Sequence, residues 1–203
     1  MILYKAILIV WYTMTGILNT IITNTLFWVN LVDFENLVTS GIPIVMIARG
    51  GKMRVGRDLK MNNDVRSNPI GRPQKCTFFV DKGATLLIGN HVGISQAAIV
   101  CHQSITIGDN VKIGGGVCIY DTDFHSLDPM VRQNPSIDMQ LKAKASIFIE
   151  DNVFIGAHST ILKGVHIGKN AVIGACSVVT KNIPDNQIWA GNPAKFIKNV
   201  HST

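Results

Sequence analysis

Between Ile149 and Lys181 the chain repeats itself every six residues. The units are Ile149-Glu-Asp-Asn-Val-Phe, Ile155-Gly-Ala-His-Ser-Thr, Ile161-Leu-Lys-Gly-Val-His, Ile167-Gly-Lys-Asn-Ala-Val and Ile173-Gly-Ala-Cys-Ser-Val, and a sixth opens at Val179. The first position is always Ile or Val. The fifth is small or β-branched: Val153, Ser159, Val165, Ala171 and Ser177. A fifth position and the next first position lie two residues apart, the spacing of one face of a strand. Gly156, Gly168 and Gly174 directly follow the aliphatic residue and permit a corner after each short strand. One such unit has too little apolar surface to fold alone, so neighbouring units must stack around a shared core. A strict six-residue period therefore predicts an all-β solenoid, a parallel β-helix.

The same phase is present earlier, in Ile88-Gly-Asn-His-Val-Gly and Ile94-Ser-Gln-Ala-Ala-Ile, then in Ile107-Gly-Asp-Asn-Val-Lys, Ile113-Gly-Gly-Gly-Val-Cys and Ile119. A seven-residue step from Val100 inserts one residue between the two groups and predicts a bulge. After Ile119 the pattern stops, and it resumes at Ile149. Residues 122–146 carry Asp128-Pro129 and Asn134-Pro135 with few periodic aliphatics, so they read as a loop thrown out of the coil. A long loop on a rigid solenoid is where function concentrates.

That loop opens Asp121-Thr-Asp-Phe-His125-Ser-Leu-Asp-Pro129. Histidine is the side chain whose ordinary titration suits proton transfer at neutral pH. Asp121 and Asp123 are candidates to orient its ring, with turn formation as their alternative role. Backbone N–H groups around Gly114-Gly115-Gly116 are candidates to stabilise an oxyanion, with a simple corner as the alternative.

The run of hexads and this motif resemble the hexapeptide-repeat acyltransferases, in particular the bacterial sugar and polysaccharide O-acetyltransferases. The likeness extends from about Leu86 to Lys198 and includes Gly174-Ala-Cys-Ser-Val-Val-Thr-Lys-Asn-Ile-Pro184 and Trp189-Ala-Gly-Asn-Pro-Ala-Lys195. The resemblance implies a left-handed parallel β-helix of triangular section, three hexads to the turn. It implies acetyl-CoA as cosubstrate, no metal, and His125 as catalytic base in direct transfer to a saccharide hydroxyl. It places Ala157 and Ala175 beside the pantetheine arm, and Thr180, Lys181 and Lys195 near the nucleotide end of CoA. It also implies a homotrimer with sites between subunits.

Ahead of the regular coil, residues 1–40 read as a hydrophobic helical segment and 41–85 as irregular first coils. The β-helix proper is expected over 86–190 and a tail over 191–203. Met1 to Val32 carry one charge, Lys5, and Ile7, Val10, Trp11, Met14, Leu18, Ile21, Ile22 and Val29 recur at helical spacing. The length would allow a membrane span. Thr13, Thr20, Thr23, Asn24 and Asn30 interrupt the apolar surface and argue for peripheral contact with a membrane, or for packing on protein. No small-residue cleavage site marks a signal peptide.

The formal charge of +6 is matched by one segment. Arg49, Lys52, Arg54, Arg57, Lys60, Arg66, Arg72 and Lys75 stand there against Asp58 and Asp64. No nucleic-acid motif or aromatic platform accompanies them. A membrane surface, at the cytoplasmic face, or an anionic substrate is the expected partner. With such a surface, a lipid-linked saccharide becomes a natural acceptor. Cys76, Cys101, Cys118 and Cys176 lack ligand-like spacing and read as free thiols of a reducing compartment. Two other functions fit the coil. A zinc hydro-lyase would need His91, His102 and His125 to converge, and a non-catalytic scaffold would need neither CoA nor His125. The remaining histidines, His91, His102, His158, His166 and His201, are expected on outward positions or in the tail.

Overall fold

A computed structural model describes residues 2–200 of the chain; His201 lies outside them. One long helix, α1 (Ile2–Val29), is followed by twenty short strands and two short helices. The first three coils are β1 (Asp33–Phe34), β2 (Leu37–Ser40) and β3 (Ile44–Ile47); β4 (Lys52–Val55), β5 (Leu59–Asn62) and β6 (Thr77–Val80); and β7 (Thr85–Ile88), β8 (Gly93–Ser95) and β9 (Ala98–Cys101). The fourth is β10 (Ser104–Ile107), β11 (Lys112–Ile113) and β12 (Cys118–Tyr120). An excursion carrying α2 (Pro129–Arg132) and α3 (Pro135–Leu141) comes next. Two further coils follow, β13 (Ile147–Ile149), β14 (Phe154–Ile155), β15 (Thr160–Ile161), and β16 (His166–Ile167), β17 (Val172–Ile173), β18 (Val178–Val179). The chain closes with β19 (Gln187–Ala190) and β20 (Lys195–Asn199), paired antiparallel.

Each coil gives one strand to each of three sheets. Sheet I runs β1-β4-β7-β10-β13-β16, sheet II β2-β5-β8-β11-β14-β17-β19-β20, and sheet III β18-β15-β12-β9-β6-β3. Coil strands pair in parallel: Phe148 with His166, Phe154 with Val172, Thr160 with Val178, three hexads apart in each case. Three parallel sheets and a six-residue repeat fit the left-handed β-helix expected from the sequence.

The core is the column the repeat predicts. Ile149, Ile155, Ile161, Ile167, Ile173 and Val179 are buried, and so are Val153, Ser159, Val165, Ala171 and Ser177. Stacking identical aliphatic residues on neighbouring strands removes their apolar area from water, at roughly 25 cal/mol per Å². At the corner between sheets I and II, Asn110, Asn152, Asn170 and Asn186 take a positive φ near 60°, which Asn tolerates better than most residues. Asn152 donates to Asn170 and Asn170 to Asn186, at 3.0 and 2.9 Å.

The regular coil starts earlier than its glycine pattern. Asp33 already pairs with Arg54, and residues 44–47 pair in register with 77–80. The 1–40 segment is thus part helix and part first coil. Several early corners turn on Leu31, Asp58, His91 and Gln96, all at positive φ without being glycine. The extra residue after Val100 makes no bulge, since Val100 pairs cleanly with Tyr120 and Ser104 with Thr85. It sits in the corner between sheets III and I.

The last turns of α1 close the open end of the prism. Phe27 is fully buried, edge-on to Phe34 at 5.4 Å and to Phe78 at 6.3 Å. A coil that begins abruptly must cover its first layer of core residues, and here a helix does so.

Candidate active site

Tyr120 ends β12 at the corner of sheets III and I, and the next residue pins the excursion there. Asp121 is fully buried. Its carboxylate accepts the backbone N–H groups of His102 at 2.7 Å and of Gln103 and Ser104 at 2.8 Å. Three N–H donors from the coil above leave it nothing to offer a catalytic ring. It also lies 3.7 Å from Cys101 Sγ. Burial, then the Asp121 charge, pushes that thiol up to about 12. The two legs of the excursion are tied by Asp123 N–H donating to Ala143 and Ala145 N–H donating to Asp121, both at 3.0 Å.

Asp123 turns away from the histidine as well. It forms an ion pair with Lys163 at 2.7 Å, and its second carboxylate oxygen is buried without a partner. Phe124 then takes a positive φ of 62°. The N–H of His125 donates back to the Asp123 carbonyl at 2.7 Å, a three-residue turn of the strained, positive-φ kind. The Phe124 ring packs on Tyr120 at 5.3 Å and edge-on to His102 at 6.1 Å.

The carboxylate on His125 is Asp138, on α3, at 2.6 Å from Nδ1. Neither Asp121 nor Asp123, the two aspartates expected from the sequence, makes that contact. The Asp138 side chain is 6% exposed and the His125 side chain 68%. The other Asp138 oxygen accepts the Ser126 N–H at 2.6 Å. The hydrogen bond from His125, then that from Ser126, holds the Asp138 carboxyl below its ordinary value, so it is ionised at neutral pH. An ionised acceptor on Nδ1 places the ring proton there and leaves the Nε2 lone pair free in the exposed half of the ring.

The excursion that delivers Asp138 is built from caps. Asp128 accepts the Met130 N–H at 2.8 Å, and Asn134 accepts the N–H groups of Ser136 and Ile137 at 3.1 and 3.3 Å. Each is followed by proline at the first helical position, where a missing N–H costs nothing. Arg132 donates to the carbonyls of Ser126 and Leu127 at 2.7 and 2.8 Å, clamping the loop segment that carries the histidine. The Asp-Pro and Asn-Pro pairs therefore start helices. Read as N-cap and N1, they put Asp138 in the first turn of α3.

The other expected residues fall into two groups. Thr180 and Lys181 follow β18, at the same corner as His125 and two coils further on, with Lys163 on the coil between. Ala157 and Ala175 lie at the corner of sheets II and III, in a column below Gly115. Cys176 N–H donates to the Ala157 carbonyl at 2.8 Å. A Cβ at Gly114 would stand 2.6 Å from Ala157 N, and one at Gly156 2.5 Å from Ala175 N. The column is narrow because its corners stack backbone on backbone. Lys195 opens β20, exposed, opposite Ala190. One chain thus sets His125 and the alanine column on opposite borders of sheet III.

Gly114 and Gly116 share the alanine corner, away from His125. Their N–H groups donate to the carbonyls of Ile155 and Gln96 at 2.8 and 3.1 Å, so the oxyanion role entertained for them finds no free donor at either. The segment joining β5 to β6 folds over this corner. The Ile70 carbonyl meets His158 Nε2 at 2.9 Å, and Gly71 packs on Gly115.

The zinc alternative also lacks its geometry. His91 pairs with Asp58 at 3.1 Å and His102 with Asp81 at 2.7 Å, each separate from His125. Among the described residues no three His, Cys, Asp or Glu side chains gather to hold a metal ion. His166 is outward, on Glu150, but the His102 side chain is only 8% exposed, against expectation. Phe79 stacks on it at 5.2 Å and Lys142 Nζ reaches its Nδ1 at 3.2 Å. All four cysteines are free.

Comparison with known proteins bears on these two corners. Residues 146–181 match the bacterial transferase hexapeptide (six repeats) family, and 87–121 match the hexapeptide repeat of succinyl-transferase. An Escherichia coli (strain K12) protein, provisionally named lipopolysaccharide biosynthesis O-acetyl transferase WbbJ, is 32% identical over 155 residues, 75% of this chain and 74% of that protein. The chain belongs to the hexapeptide-repeat acetyltransferase family. Another member, the galactoside O-acetyltransferase of Lactococcus lactis, is 32% identical over 71% of this chain and 66% of its own length. A hexapeptide-repeat acetyltransferase of Vibrio cholerae, solved in complex with acetyl coenzyme A, superposes with a TM-score of 0.54 at 32% identity. That match covers 66% of this chain and 68% of the other. The matched stretch therefore spans between 66% and 74% of these three relatives.

Proposed function

We propose that this protein transfers an acetyl group from acetyl-CoA to a hydroxyl of a saccharide, a precursor of a surface polysaccharide. His125 is the base, and the thioester is presented by a neighbouring copy of the chain in a homotrimer. The observation that carries this reading is the pairing of a buried Asp138 carboxylate with Nδ1 of an exposed ring. A sugar hydroxyl is a weak nucleophile, and its attack on a thioester needs a group placed to take its proton. Nε2 of His125 takes that proton as the alcohol oxygen bonds to the carbonyl carbon. The tetrahedral adduct then collapses, the carbon–sulfur bond breaks, and the departing thiolate recovers the proton from the imidazolium. Asp138 stabilises the imidazolium in between. No acyl-cysteine forms, since Cys118 has no paired base to ionise it.

Ala157 and Ala175 leave room for a pantetheine arm along their column. Thr180, Lys181 and Lys195 are exposed and suit the phosphates of the nucleotide end. Because these sets occupy different corners from one another, a threefold assembly that brings one chain's histidine corner to the next chain's alanine column completes the site. The relatives named as O-acetyltransferases of galactosides and of lipopolysaccharide biosynthesis support a saccharide acceptor.

The test is an acetyl-CoA turnover screen over nucleotide-linked, lipid-linked and free glycans, with amino sugars as a parallel arm. The expected result is acceptor-dependent CoA release with one hydroxyl acetylated. Turnover confined to the amino sugars would replace O-transfer by N-transfer, and no turnover with any of them would remove the saccharide reading.

A further inference from the structure

The helix α1 is amphipathic the wrong way round for water. Its inward stripe is Thr15, Gly16, Asn19, Thr20, Thr23 and Asn24, closed by the buried Phe27, spaced three and four apart. Tyr12, Gly16 and Asn19 share a cleft of about 490 Å³ with Val38–Gly41 and Arg66. Thr20 Oγ1 accepts the Thr39 N–H at 3.3 Å, and Thr23 is fully buried. Yet Thr23 Oγ1 and Asn24 Oδ1 find no hydrogen-bond partner there, so hydrogen bonding does not explain why this stripe faces the coil. The opposite face is apolar and bare: Val10 is 62% exposed, Met14 64%, Leu18 56% and Trp28 73%. A helix in water turns such a face toward protein; this one turns it out.

We infer that α1 lies in the plane of an anionic membrane, its outward face sunk among the lipids and its inward face on the coil. The helix is long and apolar enough to cross a bilayer, but from Thr20 to Phe27 it is fastened to the first two coils. Leu3 to Asn19 precede that attachment, about 26 Å at 1.5 Å per residue, short of a hydrocarbon core of about 30 Å. The hydroxyls of Thr13 and Thr15 are quenched within the helix, donating to the carbonyls of Ile9 and Trp11 at 2.9 and 2.8 Å. Cations stand beside the helix. Lys60 and Arg66 border the cleft beside Tyr12, with Asp64 paired to Arg66, and Lys52 and Arg54 border Leu31, with Asp33 paired to Arg54; Leu31 is 89% exposed. Lys5, Lys52 and Lys60 have no ion-pair partner among the described residues. Such a rim attracts anionic headgroups, and it opposes a second copy that brings the same charges to the same edge. Acceptors that are themselves lipid-linked would be met at this surface. That last step rests on the acyl-transfer reading, whereas lipid binding does not, so each can fail without the other.

The test uses the full chain and vesicles of phosphatidylcholine with phosphatidylglycerol. The wild type is expected to float with them, and Trp11→Glu/Leu18→Glu to lose about tenfold or more of the bound fraction with its helical circular dichroism and CoA binding unchanged. Brominated lipids then report depth for Trp11 and Trp28 separately, in Trp28→Phe/Trp189→Phe and Trp11→Phe/Trp189→Phe. The two lie about 26 Å apart along the helix. Equal, shallow quenching supports the in-plane seat. Unequal depths would mean that the helix leaves the coil and crosses, and failure of the wild type to float, with or without self-association in solution, would overturn the lipid surface.

Discussion

Replacing His125 by Ala is expected to lower kcat for acetyl transfer by about 10²–10⁴-fold, the usual contribution of a positioned base. The affinity for acetyl-CoA should stay within about twofold of wild type, since His125 stands at the corner of sheets III and I and the alanine column at another. The fold should be indifferent to the change. The ring is largely exposed, its loop is held by Arg132, and its turn is fixed from the Phe124 side. Steady-state kinetics paired with calorimetric CoA titration separates the two effects. A variant that binds CoA poorly and turns over at the wild-type kcat would assign His125 to binding instead.

Asp138→Asn should come close to that loss, and it should be worse than Asp138→Ala. The carboxylate accepts from Nδ1 and from the Ser126 N–H. An amide in its place keeps its oxygen on the Ser126 N–H, which only donates, and so turns its NH₂ group toward the ring. The imidazole must then accept at Nδ1 and carry its proton on Nε2, the wrong nitrogen for a base. The corresponding change in a serine triad costs about 10⁴ in kcat for this reason. Alanine removes the tautomer bias without reversing it. A kcat order of wild type, then Ala, then Asn, with KM for acetyl-CoA unchanged, is the signature of positioning through the ring; equal kcat in all three would remove Asp138 from the mechanism. Asp123→Asn breaks only the pair with Lys163 and should cost far less than either. Because the Asp138 pKa is lowered by its partners, its hold on the loop is complete above the ordinary carboxylate range and is lost as pH falls through the lowered value.

The coil was legible because its period is enforced by packing. Each Ile at position one must enter the prism, so the register can be read from Ile149 to Val179 without a structure. The first coils were harder to read, since corners at Asp58, His91 and Gln96 adopt positive φ without glycine to announce it. The histidine could be found because it opens the long break between the two runs of regular hexads. Its partner could not be found by proximity, because Asp138 lies thirteen residues on and reaches back only after two capped helices have turned the chain. Asp121 and Asp123 were nearer in sequence. Each is already spent, one on three backbone N–H groups and the other on a lysine. The polarity of α1 misled in a different way. Its Thr and Asn residues interrupt the apolar run in the sequence, but most of them point at the coil.

The central claim is that His125 of one chain works on a thioester held by its neighbour. The direct measurement mixes two inactive chains. His125→Ala lacks the base, and Ala175→Trp fills the column on an exposed position where side chains point outward. Each alone should be nearly inert. Denatured together in equal amounts and reassembled, three-quarters of random trimers are mixed, and each mixed trimer holds one intact site in three, so about a quarter of wild-type activity should return. If the mixture stays as inactive as its parents while forming mixed trimers, the base and the thioester belong to one chain, and the shared site is refuted.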